Sequence, residues 1–169
     1  EPIPIGGGLV FSTIGVIGSL IYKDYSFLIF VPLLIIGHLD DCKGISAIKR
    51  FWAQLITFVI FMSLKINSIF LNFWELNLNS KLGLLFLLAI IFLALVNFCN
   101  FSDGIDGLLG GTALIIFSTI MLVNQNQNNI VFLLGGMLGF LIWNWCPAKI
   151  FMGDAGSYFI GSIYFYLIL

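Results

Sequence analysis

Leu82-Gly-Leu-Leu-Phe-Leu-Leu-Ala-Ile-Ile-Phe-Leu-Ala-Leu-Val-Asn-Phe98 is the stretch that decides the fold. From Leu84 to Phe92 every side chain is apolar, so there is no polar face for water and no alternation of period 2 such as a membrane β-barrel strand shows. Lipid offers no partner to an unpaired backbone group, which makes the helix the expected spanning form. A helix needs about 20 residues to cross some 30 Å of hydrocarbon. Working outward, six more apolar stretches cover residues 8–22, 26–39, 51–64, 108–123, 130–146 and 157–169. Most fall short of a full crossing and must borrow interfacial residues from their flanks. The expectation is an all-α, polytopic transmembrane bundle of about seven spans (residues 82–98 being the fourth), forming a single catalytic domain over 1–169. It is expected to be a piece of a longer protein, because it opens at Glu1 without methionine and stops inside an apolar run at Leu169.

Composition agrees. Hydrophobic residues make up 60% of the chain and charged residues 9%, against about a quarter charged in a soluble domain. Mean hydropathy is +1.11. These values exclude a soluble globular domain and a disordered chain. Seven basic residues against eight acids make no basic face, which excludes an electrostatic nucleic-acid binder. Cys42, Cys99 and Cys146 are odd in number and widely spaced, and His38 stands alone, so neither a disulfide framework nor a zinc site is supported. No signal-peptide pattern is present.

The linkers carry the polar chemistry. Lys23-Asp24 and the neutral run 124–129 read as short turns. The longer 65–81 linker, with Phe70, Phe73, Trp74 and Glu75, suits an interfacial helix with an aromatic belt. Two spans separate Gly6-Gly-Gly8 from Asp40-Asp41, two more lead to Asp103/Asp106, and two more to Asp154. An even count each time returns the chain to one face, which then holds Asp40, Asp41, Asp103, Asp106 and Asp154. Lys43, Lys49, Arg50 and Lys149 on that face, against Lys23, Lys65 and Lys81 opposite, are too balanced to fix its orientation.

Each motif has a bland reading beside a functional one. Asp40-Asp41 adds two carboxylates where the helix dipole is already negative, so a cation or a substrate proton is a candidate for compensation; a solvated cap salted by Lys43 and Arg50 is the alternative. Asn97, Asn100, Asp103 and Asp106 recur every third residue, roughly one helical face, and their oxygens suit a hard cation with phosphate co-ligands; capping of two helices would also use them. Asp154 is either the N-cap of the last span or a metal ligand beside an anion site. Gly6-Gly-Gly8, centred on Gly7, could present amides to a phosphate or allow close packing. His38 could orient Asp41 or simply lie at the interface. Trp143 and Trp145 read as belt residues. Together the acids fit metal-assisted phosphoryl transfer.

In this order the motifs resemble the polyprenyl-phosphate N-acetylhexosamine-1-phosphate transferases, a superfamily that includes the peptidoglycan transferases. The carrying stretches are Pro2–Gly8, Asp40-Asp41 with Ile45-Ser46 and Arg50…Gln54, Asn97–Gly107, and Pro147–Ser157. Trp143-Asn-Trp-Cys-Pro-Ala-Lys149 looks more like the branch that initiates O-antigen and related surface glycans. The resemblance implies transfer of a sugar phosphate from a UDP-N-acetylhexosamine to undecaprenyl phosphate, releasing UMP, with Mg²⁺ (or Mn²⁺) as cofactor. It implies a multi-pass protein of the bacterial inner membrane, its active site facing the cytoplasm; a second copy of the chain is a candidate further partner. By matched position Asp154 is the metal ligand, and Asp40 and Asp41 are the catalytic pair handling the lipid phosphate. Asn100, Asp103 and Asp106 serve the nucleotide sugar and Arg50 contacts phosphate; Asn97 and Gly7 join them as substrate-binding candidates from their place in the motifs. The family commonly carries threonine and a basic residue where Ile3 and Ile5 stand. Its members also have more spans and a histidine-rich loop, so a fragment of this extent is expected to show little activity alone.

Two other classes compete. An ion-coupled transporter would place its acids mid-span, whereas these lie at span ends. A CDP-alcohol phosphotransferase would carry Ala-Arg after an Asp-Gly, and Asp103-Gly104-Ile-Asp106 does not.

Overall fold

The computed structural model describes residues 2–71, 77–124 and 129–169. It is all-helical: α1 (Gly7–Ile21), α2 (Val31–Lys43), α3 (Ala47–Leu71), α4 (Leu78–Ser102), α5 (Leu108–Val123), α6 (Ile130–Asn144) and α7 (Gly153–Ile168). A 3-10 helix, Tyr25–Phe30, feeds directly into α2. Among the described residues the one strand-like feature is a single parallel bridge between Ile5 and Phe151.

Among the described residues three helical segments are long and apolar enough to cross a membrane: Tyr25–Lys43, Ala47–Lys65 and Leu78–Ser102. The expected spans at α1, α5 and α6 are shorter apolar helices of 15, 16 and 15 residues. Helix α7 differs in kind. Every residue from Ala155 to Ile163 is buried, and the helix packs against α4, α2 and α1. It is a pillar enclosed by protein rather than a lipid-facing span.

Small residues let the other helices reach that pillar. A Cβ on Gly8 would overlap the Gly156 backbone, one on Gly37 the Ala155 backbone, and one on Gly161 the Val96 backbone. Between helices in lipid, close van der Waals packing replaces the hydrophobic effect, so such contacts carry much of the association. Aromatic rings fill another part of the core. Phe92 meets Phe165 at 5.1 Å, Phe58 meets Phe92 at 5.7 Å and Phe30 stacks on Phe61 at 5.6 Å, separations at which rings attract one another.

Helix boundaries depart from the apolar runs in three places. Helix α2 continues past Leu39 through both aspartates and stops at Gly44, whose φ of 65° breaks the helix at little cost only for glycine. Helices α3 and α4 absorb both ends of the 65–81 linker, so a separate interfacial helix does not begin at Lys65. The belt residues Phe73, Trp74 and Glu75, and the Phe70 side chain, lie outside the described residues. Helix α7 starts at Gly153, four residues before the apolar run.

One end of the bundle collects the polar linkers. Phe151 donates its N–H to the Pro4 carbonyl (2.9 Å), while Gly6 and Gly7 donate to Phe151 and Gly8 donates to Met152. At the other end the Asn129 amide donates to Asp24 across 2.7 Å.

Candidate functional site

The adjacent carboxylates at the end of α2 have different partners. Asp40 accepts from Arg50 Nη1 at 2.9 Å and from the Ile45 N–H. Asp41 turns the other way and accepts from the first amides of α7, Asp154 N–H at 2.8 Å and Ala155 N–H at 3.3 Å. The charge that is unfavourable at one helix C-terminus is thereby favourable at the next N-terminus. Gly153 makes room: its φ is +79°, and a Cβ there would sit 2.6 Å from Asp41 Oδ2. His38, offered by sequence as an orienter of Asp41, has its contact with Cys42 instead, 3.8 Å from Nε2 to Sγ.

Helix α4 delivers the asparagines. Asn97 donates to Gln54 Oε1 at 2.8 Å, and Gln54 is itself buried. Asn100 donates to Asp154 Oδ1 at 2.6 Å and to Ser157 Oγ at 3.1 Å. The helix then ends at Ser102, so the repeat of three no longer maps onto one face. Asp103 takes the Gly153 N–H, and burial pushes its pKa up to about 7, with the charges of Asp154 and Asp41 adding to the rise. Asp106 accepts from Ala148 N–H at 3.0 Å, and Asn144 holds Gly107 N–H and the Ile150 carbonyl at 3.0 and 2.9 Å. Asp106 therefore fastens the 145–150 loop rather than joining the Asp154 group. The Gly6 and Gly7 amides, expected to cradle phosphate, are spent on the Phe151 carbonyl.

Asp154 is the hub. Met152 occupies the N-cap position of α7, and the Asp154 carboxylate faces across the site. Its Oδ2 lies 3.8 Å from Arg50 Nη1 and 3.4 Å from the Tyr158 hydroxyl, which is also 3.5 Å from Asp40 Oδ2. Asp40, Arg50, Asn100, Asp154 and Tyr158 thus meet in one cluster, with Asp41 and Asp103 beside it on Gly153–Ala155. Sequence reading missed Ser157 and Tyr158. The available signal was their offset of three and four from Asp154, which puts all three on one helical face.

Among the described residues no three His, Cys, Asp or Glu side chains form a ready-made metal cluster. The donors around Asp154 are all oxygens or amides. Among the described residues Arg50 is the cation in ion-pair contact with these acids. Carboxylates in excess of cations, with few fixed ligands, fit Mg²⁺, which typically takes one or two carboxylates and completes its shell with water and substrate phosphates.

The sequence comparisons place the chain among known proteins. A phospho-N-acetylmuramoyl-pentapeptide-transferase of Listeria monocytogenes serovar 1/2a is 32% identical, over 94% of this chain and 58% of its own length. The enzyme of that name from Dictyoglomus turgidum is 31% identical over 94% and 56%, and that of Lactobacillus johnsonii 35% over 94% and 59%. The chain therefore spans somewhat under three fifths of the length of these relatives. The sequence pattern described as glycosyl transferase family 4 matches residues 25–169, from the 3-10 turn before α2 to the end of α7. On that match, which takes in every residue of the acidic cluster, the chain belongs to glycosyl transferase family 4.

Proposed function

We propose that the complete protein transfers N-acetylhexosamine-1-phosphate from a UDP-amino sugar to undecaprenyl phosphate, at the cytoplasmic face of the bacterial inner membrane. The observation that carries this reading is the meeting of Asp40, Arg50, Asn100 and Asp154 at one end of an apolar helical bundle. A phosphate on a long prenyl tail reaches that end from within the lipid, and a water-soluble nucleotide sugar reaches it from outside.

The reaction is a phosphoryl transfer. An oxygen of the lipid phosphate attacks the sugar-bearing β-phosphorus; the bond from that phosphorus to the bridging oxygen breaks, and UMP leaves with that oxygen. Asp154 holds Mg²⁺, for which Mn²⁺ can substitute, and a bound divalent cation supplies counter-charge to the diphosphate. Arg50 pairs with phosphate oxygens, for which its planar donor fork is suited. Asp40, held by Arg50, is the carboxylate of the pair that meets the attacking phosphate. Asp41 sets the position of Asp154 by capping α7. Asn97, Asn100 and Asp103 line the approach of the nucleotide sugar, and Asp106 orders the 145–150 loop beside it.

The Trp143–Lys149 stretch favours a simple UDP-N-acetylhexosamine donor and a surface-glycan product. The names of the relatives favour a second donor, the UDP-muramoyl-pentapeptide. Membranes from cells expressing the complete reading frame, given each labelled donor with undecaprenyl phosphate and Mg²⁺, separate the two by which label enters the lipid extract. Transfer from neither donor, or transfer undiminished by Asp154→Ala, would overturn the proposal.

A further inference from the structure

We infer that Tyr158 is a positioning residue for the divalent cation: its hydroxyl holds the Asp154 carboxylate in the cation-binding orientation when Arg50 lets go. The inference rests on the proposed role of Asp154. Tyr158 is 1% exposed, in the middle of the buried stretch of α7. Packing there requires a large ring, which phenylalanine would provide equally; the hydroxyl needs a further reason, because a buried O–H must find a partner. Its acceptors are Asp154 Oδ2 at 3.4 Å and Asp40 Oδ2 at 3.5 Å, and its oxygen also meets the Arg50 guanidinium. Both separations are long for an O–H···O bond, so the phenol is suspended between two acceptors and not yet committed to either.

Arg50 spans the same two oxygens, at 2.9 Å from Asp40 and 3.8 Å from Asp154. In that state the guanidinium is the shared counter-charge. A dication arriving at Asp154 repels it, leaving Asp40 or phosphate as its partner. A neutral phenol meets no such repulsion. Tyr158 can stay and commit its proton to Asp154 Oδ2, while Asn100 fixes Oδ1 at 2.6 Å, so that the carboxylate that would hold the cation keeps its orientation. Two neutral donors on opposite oxygens then fix the carboxylate plane.

Loss of an outer partner of a metal ligand typically weakens metal binding about 10- to 100-fold. The test is Mn²⁺ binding to the purified full-length protein, read as the loss of the free-ion signal in electron paramagnetic resonance, for wild type, Tyr158→Phe and Asp154→Ala. Tyr158→Phe is expected to weaken Mn²⁺ binding about tenfold. It is also expected to raise the Mg²⁺ concentration for half-maximal turnover by the same factor, with kcat at saturating Mg²⁺ nearly unchanged. A structural role alone would lower the melting temperature and leave both cation readings untouched. Weakened binding in Asp154→Ala with wild-type binding in Tyr158→Phe would overturn the role of Tyr158 and spare the metal assignment. Wild-type binding in Asp154→Ala would overturn both.

Discussion

Asp41→Ala separates the two roles that an aspartate pair at a helix end can have. In the structure Asp41 accepts two amides from the start of α7, at 2.8 and 3.3 Å. A hydrogen bond to a charged group contributes about 1.5–3 kcal/mol, and the longer of these two counts for well under a full bond. Removal of N-cap side chains costs about 0.5–2 kcal/mol in other proteins. Against this, losing the charge relieves Asp103, whose protonation Asp41 favours. The net expectation is a destabilisation of about 2–3 kcal/mol. For a chain of this size about 1 kcal/mol lowers the melting temperature by roughly 2–4 °C, so Asp41→Ala should melt about 5–10 °C below wild type. Asp41→Asn, which keeps one acceptor oxygen, should fall by about half as much. Intrinsic tryptophan fluorescence of the detergent-solubilised protein follows the transition. A melting temperature within about 1 °C of wild type for Asp41→Ala would refute the capping role and return Asp41 to the reaction itself.

Other consequences follow from the same geometry. Arg50→Lys keeps the charge that the single nitrogen Nη1 presents to Asp40 and Asp154 but loses the planar donor fork proposed to pair with phosphate; transfer activity should fall by about tenfold or more, a loss of about 1.4 kcal/mol in the transition state, while the melting temperature changes little. A membrane-impermeant maleimide should label the exposed Cys42 and Cys146 from one side of the membrane and leave buried Cys99 unmodified, whereas Tyr25→Cys should label from the opposite side; labelling of all three from one side would contradict the bundle. Asp103 has a folded pKa raised to about 7 from an unfolded value of about 3.9. The folded state therefore holds that proton more tightly. Its stabilising contribution is full below about pH 4 and is lost as pH rises toward 7. Without divalent cations the melting temperature should decline over that interval, and Asp103→Asn should flatten the decline.

Much of this was legible in the sequence because lipid leaves few choices. The apolar run 108–123 coincides with α5, and the even number of helices between acidic linkers brought Asp40, Asp41, Asn100 and Asp154 to one end. What hydropathy could not show is where a helix continues through polar residues. Helix α2 carries Asp40 and Asp41 in its last turn because Gly44, not the end of the apolar run, stops it; α7 begins at Gly153 because the Asp41 carboxylate serves its first amides. Spacing misled at Asp106, since a repeat of three implies a shared face only while the helix lasts, and α4 ends at Ser102. The Gly6–Gly8 amides could not be assigned from sequence, because their acceptors on Phe151 and Met152 lie far along the chain. Tyr158 was hidden for the opposite reason: in an apolar run a tyrosine reads as core, and only the fold shows what its hydroxyl reaches.

The most direct measurement follows the β-phosphorus of the donor. With the complete protein, undecaprenyl phosphate, Mg²⁺ and a UDP-amino sugar labelled at that phosphorus, the account predicts that the label enters the lipid product and that the released nucleotide is unlabelled UMP. It further predicts that Asp154→Ala abolishes this transfer. Label left behind in UDP would mean that the sugar moves without its phosphate, and would contradict the account.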